Sequence, residues 1–349
     1  MPGSEFNPYD DSAMHEAMLW EEAGEGRVRC NLCAHRCLVP PGGRGVCCVR
    51  ENRDGTLRTL VYGRLVSQAL EPIEKKPLYH FLPGSPTLSI AAVGCNFRCD
   101  FCQNHTISQY PRDHRGRVLG EPVSPAEVVR AAKGTGAPII AYTYTEPTVF
   151  FEMCRDTGAL ARQEGIRNVI VTNGYLTEEA VGAAHGWLQG ANVDLKAFAD
   201  EFYRRYCGGS LEPVLATIRR MVSSGIWVEV TTLVIPGRND SDEELGWIAQ
   251  FLAGISPDIP WHVSRFVPSY RAQDLPPTPL PTLLRARGIG REAGLRFVYL
   301  GNFPGEGEDT ACPSCGRIVI RRYGFQVVEN VLVDGRCPDC GYVLPGVWS

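Results

Sequence analysis

Eight residues, Cys95-Asn96-Phe97-Arg98-Cys99-Asp100-Phe101-Cys102, constrain this chain more than any other stretch. They place three cysteines in a C-x3-C-x2-C spacing, with an aromatic directly before the third. The apolar run 87–93 leads in and Gly94 closes it, which predicts a strand ending in a glycine-hinged loop. Three thiolates so close in sequence can hold three irons of a four-iron, four-sulfur cluster and leave the fourth iron open to a small molecule. The plain alternatives are a zinc knuckle or three thiols packed in a core. Zinc sites want four ligands, commonly as paired C-x2-C units, and this loop offers no fourth cysteine.

The other cysteines sharpen the contrast. Of the 14 in the chain, two more groups are tight in sequence, while Cys154 and Cys207 stand alone. Cys30, Cys33, Cys37 and Cys47 form C-x2-C-x3-C-x9-C around a Pro-Gly-rich centre that predicts turns. Four thiolates on such a loop can close a zinc site or ligate a second iron–sulfur cluster, and spacing alone does not separate the two. Cys48 reads as a bystander, and His35 is a substitute ligand that four cysteines make unnecessary. Cys312, Cys315, Cys337 and Cys340 form two C-x2-C knuckles separated by β-rich sequence, a zinc-ribbon-like pattern. A tail of about forty residues buries little core, so a zinc staple with a structural role is the expectation. Grouped cysteines without a secretion signal point to metal binding in a reducing compartment, hence a cytoplasmic protein. A net charge of -4 gives no sign of nucleic acid, and no apolar run predicts a membrane span.

Four regions are expected. Residues 1–14 read as a tag or a disordered start, with Met1 to Phe6 vector-derived, 15–84 as a Cys-rich segment with a lead-in, 85–302 as the core, and 303–349 as the four-Cys tail. The runs 57–62 and 64–70 predict a β-hairpin or two short strands around Gly63. Residues 71–84, with three prolines, predict an extended lead-in. Its Lys75, Lys76 and His80 either line a site mouth or belong to a solvated linker with His80 against Phe81; the segment alone favours the linker. Strand runs are expected at 87–93, 138–143, 168–172, 190–195, 226–234, 261–266 and 296–300. Helical runs are expected at 124–134, 147–165, 177–187, 210–224, 241–254 and 280–293, with Ser124, Thr177, Ser210 and Ser241 as N-caps. Residues 271–283 and 301–309 read as irregular connection and linker. Repeated βα units predict a parallel sheet, and fewer than eight predict an incomplete (β/α)6 barrel with its site at the C-terminal strand ends.

Informative residues fall at those ends. Glu146 either binds an ammonium or serves the start of the following helix. Thr172-Asn173-Gly174 is a turn that exposes backbone groups. Asp194 and Lys196 share a strand face, as a ligand clamp or a buried ion pair. Residues 235–240 either touch a nucleoside or form a plain βα loop.

On the C-x3-C-x2-C loop the chain resembles radical S-adenosylmethionine (radical SAM) enzymes. Tyr144-Thr145-Glu146-Pro147, Thr172-Asn173-Gly174, Asp194-Leu195-Lys196 and Ile235-Pro236-Gly237 are similar to motifs of the pyruvate formate-lyase activating enzyme branch. The chain departs from that branch at Tyr144-Thr145, where Gly-Gly is usual, at Val171, where Asp is frequent, and at Val267, near which a polar residue is expected. A closer resemblance is to the radical SAM enzyme of the AmmeMemoRadiSam system. It rests on Cys30-Asn31-Leu32-Cys33 with Cys37, on the stretch Pro72 to Gly84, on Cys102-Gln103-Asn104, on Tyr299-Leu300-Gly301-Asn302 and on the tail knuckles. The resemblance implies a [4Fe-4S] cluster on Cys95, Cys99 and Cys102, with SAM bound by Glu146, Thr172, Asn173, Asp194 and Lys196. It implies reductive cleavage of SAM to a 5′-deoxyadenosyl radical that takes hydrogen from a small-molecule or protein substrate, an oxidoreductase-like activity. It also implies an electron donor such as flavodoxin or ferredoxin, and a link to Memo-like and AMMECR-like proteins. The alternatives are a glycyl-radical activase acting on a protein partner and, from another class, a zinc-stabilised non-catalytic binding protein.

Overall fold

Runs rich in Val, Ile and Ala line up side by side when both of their faces can be covered. The computed structural model describes residues 14–349, and in it the core strands are β1 (Ser67–Pro72), β2 (Pro86–Ala91), β3 (Ile139–Tyr142), β4 (Arg167–Thr172), β5 (Gly190–Asp194), β6 (Trp227–Val234), β7 (Trp261–Arg265) and β8 (Val298–Gly301). They form one eight-stranded sheet in sequence order. β1 is antiparallel to β2, and β2 to β8 are parallel neighbours. The expectation was six units; the sheet has seven parallel strands, with β1 and β8 as open edges. The tag or disordered start expected at the N-terminus lies, up to residue 13, outside the described residues.

The strands alternate between two covers. Ile140, Tyr142 and Ile170 join the large core that the helices complete. Ile139, Ala141 and Val169 face the other way, onto Ile73, Leu78 and Phe81. The helices are α1 (Pro125–Gly134), α2 (Phe151–Gln163), α3 (Glu178–Ala184), α4 (Glu212–Ser223), α5 (Asp242–Ile255) and α6 (Leu280–Glu292). Ser124 and Glu127 form a reciprocal capping box at α1, and Thr177 and Ser241 cap α3 and α5. Ser210 does not cap α4. Leu211 holds the cap position, and the Ser210 hydroxyl instead meets the Tyr175 hydroxyl at 3.0 Å.

Three sequence expectations change. The runs around Gly63 do not pair with each other. Thr56–Thr59 pairs with Arg50–Arg53 and His15–Glu16, while the second run becomes β1 because the free edge of β2 needs a partner. The lead-in is not a solvated linker. Ile73–Lys75 makes one 3-10 turn, and residues 73–81 then pass under the sheet, where the buried Glu229 carboxylate accepts the N–H groups of Tyr79 (2.9 Å) and His80 (2.8 Å). That carboxylate meets the donors that a buried extended segment would otherwise leave unpaired. Residues 301–309 are packed too. Glu308 is buried, and its Oε2 accepts from Gly305 and Gly324, each at 2.9 Å.

The tail adds β9 (Thr310–Ala311), β10 (Ile318–Tyr323) and β11 (Gln326–Asn330), an antiparallel sheet with a small core of Val319, Ile320 and Leu344. It docks on the lead-in: Leu82 N–H donates to Val347 O and Val347 N–H to His80 O, both at 2.7 Å.

Candidate active site

β2 runs out at Ala91, and Gly94 turns the chain at φ +102°. A Cβ there would sit 2.9 Å from Val49 Cγ1, so the turn needs glycine on two counts. The loop that follows is held by its backbone: Arg98 N–H donates to Cys207 O at 2.8 Å and Asp100 N–H to Tyr206 O at 3.1 Å. Cys95 Sγ accepts from Phe97 N–H at 3.3 Å, and Cys102 Sγ lies 3.2 Å from Ser108 Oγ. The three thiols line one cavity of about 450 Å³.

Each following strand contributes to that cavity from its C-terminal end. After β3 come Thr143 to Glu146; β4 gives Val171 and Thr172, with Asn173 just beyond; β5 gives Asp194, with Lys196 two residues on. Thr231 and Leu233 come from β6, Ser264 from β7 and Asn302 from just past β8.

Glu146 serves the start of the following 3-10 turn, Pro147–Phe150, one of the two readings open to it, and it also lines the cavity. Its Oε1 accepts from Thr148 N–H (3.0 Å), Thr148 Oγ1 (2.5 Å) and Thr172 Oγ1 (2.8 Å). Among the described residues Oε2 accepts only Asn173 N–H, at 2.8 Å, and so keeps a lone pair for an incoming donor. Burial raises its pKa against those hydrogen bonds. Asn173 Nδ2 donates to Asn96 Oδ1 at 2.7 Å, tying this turn to the cysteine loop. Asp194 and Lys196 are likewise both pair and lining, with Nζ 2.8 Å from Oδ2. Burial disfavours the Lys196 ammonium, but Asp194 and Cys99 outweigh it and hold the pKa well up. Residues 235–240 form the plain loop. Asn239 is buried there and staples it, donating to Lys196 O (2.6 Å) and Leu233 O (2.9 Å).

Residues 89–248 match the family model of the Radical SAM superfamily. The chain carries a radical SAM superfamily domain. It is 44% identical over 332 residues to an uncharacterized protein of Methanocaldococcus jannaschii, covering 94% of this chain and 98% of that one. It is 27% identical over 186 residues to the isethionate sulfite-lyase activating enzyme of Oleidesulfovibrio alaskensis, covering 50% of this chain and 59% of the relative. Among solved structures, a domain of a pyruvate-formate lyase-activating enzyme from Bacteroides vulgatus aligns with TM-score 0.41 at 20% identity, over 46% of this chain and 98% of that one.

A radical SAM domain implies an iron–sulfur cluster and SAM as cofactors, and the site fits such a cluster. The donor set is three soft thiols from one loop, all facing the cavity. Beside them, buried Asn96 Nδ2 has no hydrogen-bond partner among the described residues. Burial pushes the Cys95 thiol up, so a cation is what its thiolate lacks.

The N-terminal group abuts this radical SAM loop. His35 Nε2 donates to Asn96 O at 2.8 Å. Arg50 Nη1 donates to Cys30 Sγ at 3.1 Å, and Val46 N–H to Cys37 Sγ at 3.4 Å. Burial pushes the Cys47 thiol up to about 12. In the tail, the sulfurs of Cys312, Cys315, Cys337 and Cys340 all lie within 4.8 Å of one another, compact enough for one metal ion. No helix among the described residues is long and apolar enough to cross a membrane.

Sequence reasoning missed several residues. Cys207, set aside as solitary, is buried against Cys99. Thr231, Asn302 and Phe325 line the cavity. Thr231 carries a signal, since strand alternation puts it on the same face as Glu229 and Leu233, and Asn302 stands in the resemblance stretch Tyr299 to Asn302. Lys75 and Lys76 line the cavity as well, the reading that their own segment did not favour.

Proposed function

We propose that the protein holds a [4Fe-4S] cluster on Cys95, Cys99 and Cys102, binds SAM beside it, and takes hydrogen from a small molecule in the same cavity. The observation that carries this reading is convergence: the three loop thiols and Glu146, Thr172, Asn173, Asp194 and Lys196 line one cavity, although the sequence spreads them over about a hundred residues. When bound, the cluster supplies one electron to the sulfonium of SAM, releasing methionine and a 5′-deoxyadenosyl radical. The protein's part is to bind and orient. Glu146 Oε2 receives the methionyl ammonium with its open lone pair, and Thr148, Thr172 and Asn173 keep the carboxylate aimed. Lys196, steadied by Asp194, receives the methionyl carboxylate. The walls from β6 to β8 keep water from the radical. A flavodoxin or ferredoxin supplies the electron. The stretch from Pro72 to Gly84 and the tail knuckles support reading the chain as an AmmeMemoRadiSam radical SAM enzyme, with zinc in the tail site.

A second reading is a glycyl-radical activase with a protein substrate, favoured by the identity to the isethionate sulfite-lyase activating enzyme. A glycyl radical signal arising on a partner protein would select it.

SAM binding to the reconstituted, reduced protein tests the first reading. SAM is expected to change the electron paramagnetic resonance spectrum of the cluster. Glu146→Gln is expected to weaken apparent SAM affinity roughly 10- to 100-fold, the loss of a charge-assisted hydrogen bond. An unchanged affinity removes Glu146 from the site.

A further inference from the structure

The cavity has a second polar wall that no SAM contact uses. Lys75 and Lys76 end the turn after β1, and both line the space that the three thiols line. Their two ammonium groups share one carboxylate: Lys75 Nζ donates to Glu71 Oε1 and Lys76 Nζ to Glu71 Oε2. The Tyr144 hydroxyl also donates to Oε2, and Lys76 Nζ stands 4.5 Å from the centre of the Tyr144 ring. Burial opposes ionisation of Glu71, but the hydrogen bonds from Lys75, Lys76 and Tyr144 outweigh it and hold the carboxyl down at about 2. Two cations therefore face one anion, and one positive charge is left over.

The remaining charges of the wall do not take it up. Asp194 is paired with Lys196, and Glu146 is bound by Thr148, Thr172 and Asn173. Nor is the cluster a surface accident. The Lys76 side chain is 1% exposed, an expensive place for an ammonium without a purpose. Tyr144 is held at φ +65°, which an aromatic residue adopts at a cost, and its phenol is thereby fixed on Glu71. Next to Lys76, Pro77 opens into an adjoining cavity of about 140 Å³ walled by Tyr79, Phe303 and Phe325, with Glu74, His262 and Glu308 also lining it.

We infer that Lys75 and Lys76 form the anion subsite for the hydrogen-donating substrate, which carries a carboxylate or phosphoryl group. Its less polar portion occupies the adjoining aromatic recess. This inference rests on the proposed function for what shares the cavity. The geometry needs no covalent step: the anion displaces water and adds its own charge to the pair of lysines and Glu71.

Two probes test it on the reconstituted protein, inorganic phosphate and acetate, each titrated with and without SAM and followed by saturation-transfer or line-broadening NMR. The expected result is that at least one anion binds, and that Lys75→Gln weakens it roughly tenfold, the loss of one charge-assisted hydrogen bond. Lys76→Arg keeps binding, and Glu71→Gln strengthens it by uncovering both ammonium groups, a change of sign that a merely structural role would not give. Selective binding of phosphate assigns a phosphoryl group, and selective binding of acetate a carboxylate. Lys75 is 43% exposed, so its replacement is compatible with folding. The inference is overturned if neither anion binds the wild type, or if wild type, Lys75→Gln and Glu71→Gln bind alike. SAM binding is read in the same samples. SAM binding without anion binding sinks this inference alone, and anion binding without SAM binding sinks the proposed function alone.

Discussion

Arg50 and Glu152 have side chains only 2% and 1% exposed, an ion pair cut off from water. Arg50 joins it to Cys30 and Met18 O, and Glu152 Oε1 also accepts Met18 N–H at 2.6 Å. The pair thus pins the N-terminal segment to α2. Removing one member leaves the other charged and buried, so Glu152→Ala is expected to lower unfolding free energy by about 3–5 kcal/mol, read from the denaturant midpoint. A shift under about 1 kcal/mol would mean that water reaches Arg50 in the variant. Nothing in the sequence announced this pair, because its members stand 102 residues apart. The cysteines were legible for the opposite reason. Cys95, Cys99 and Cys102 share one loop, so their nearness could be read from spacing alone. Glu146 lies between these cases. Its place after β3 was readable, whereas its saturated Oε1 and open Oε2 depend on Thr172 and Asn173 from the next strand.

Elements that close on themselves were also legible. Ser124 and Glu127 satisfy each other within four residues, and Ser124→Ala is expected to cost about 1 kcal/mol of stability in a denaturation curve. The lead-in was not legible, because its cover comes from β6 and from the tail. His80 shows how firmly it is held. Its Nδ1 donates to Pro345 O at 2.7 Å, and its Nε2 lies 2.6 Å from the Tyr299 hydroxyl. Burial, against the pull of Glu229, lowers its pKa to about 4. A free histidine titrates near 6.5. Between those values the unfolded chain takes up a proton that the folded chain refuses, so stability falls as pH drops from about 6.5 to 4. The contribution is on the order of 3 kcal/mol. Denaturation midpoints across that range should decline less steeply in His80→Gln than in the wild type; parallel slopes would contradict the assignment.

At the scale of the whole molecule, the tail is a wall of the cavity as well as an appendage. Phe325, at the turn between β10 and β11, reaches the main cavity and the adjoining recess. The tail core is small, and its four thiols are gathered closely enough to hold a metal ion. Stripping that metal with a chelator, or Cys312→Ser, is expected to make residues 310–349 cleavable by protease while the sheet stays resistant. Equal resistance with and without metal would show that docking on the lead-in suffices. Sequence alone delivered the order of strands and helices, since each βα unit is local. It did not deliver the seventh parallel strand as part of the sheet, the packed 301–309 loop or the reach of Phe325, which depend on the assembled tertiary structure. The central claim is tested most directly by anaerobic incubation of the reconstituted protein with SAM and a strong reductant, with 5′-deoxyadenosine quantified by chromatography. The wild type is expected to form 5′-deoxyadenosine and methionine in equal amounts, and Cys99→Ala to form neither. A wild type that carries iron and sulfide yet yields no 5′-deoxyadenosine, or a Cys99→Ala variant that yields as much as the wild type, would contradict the account.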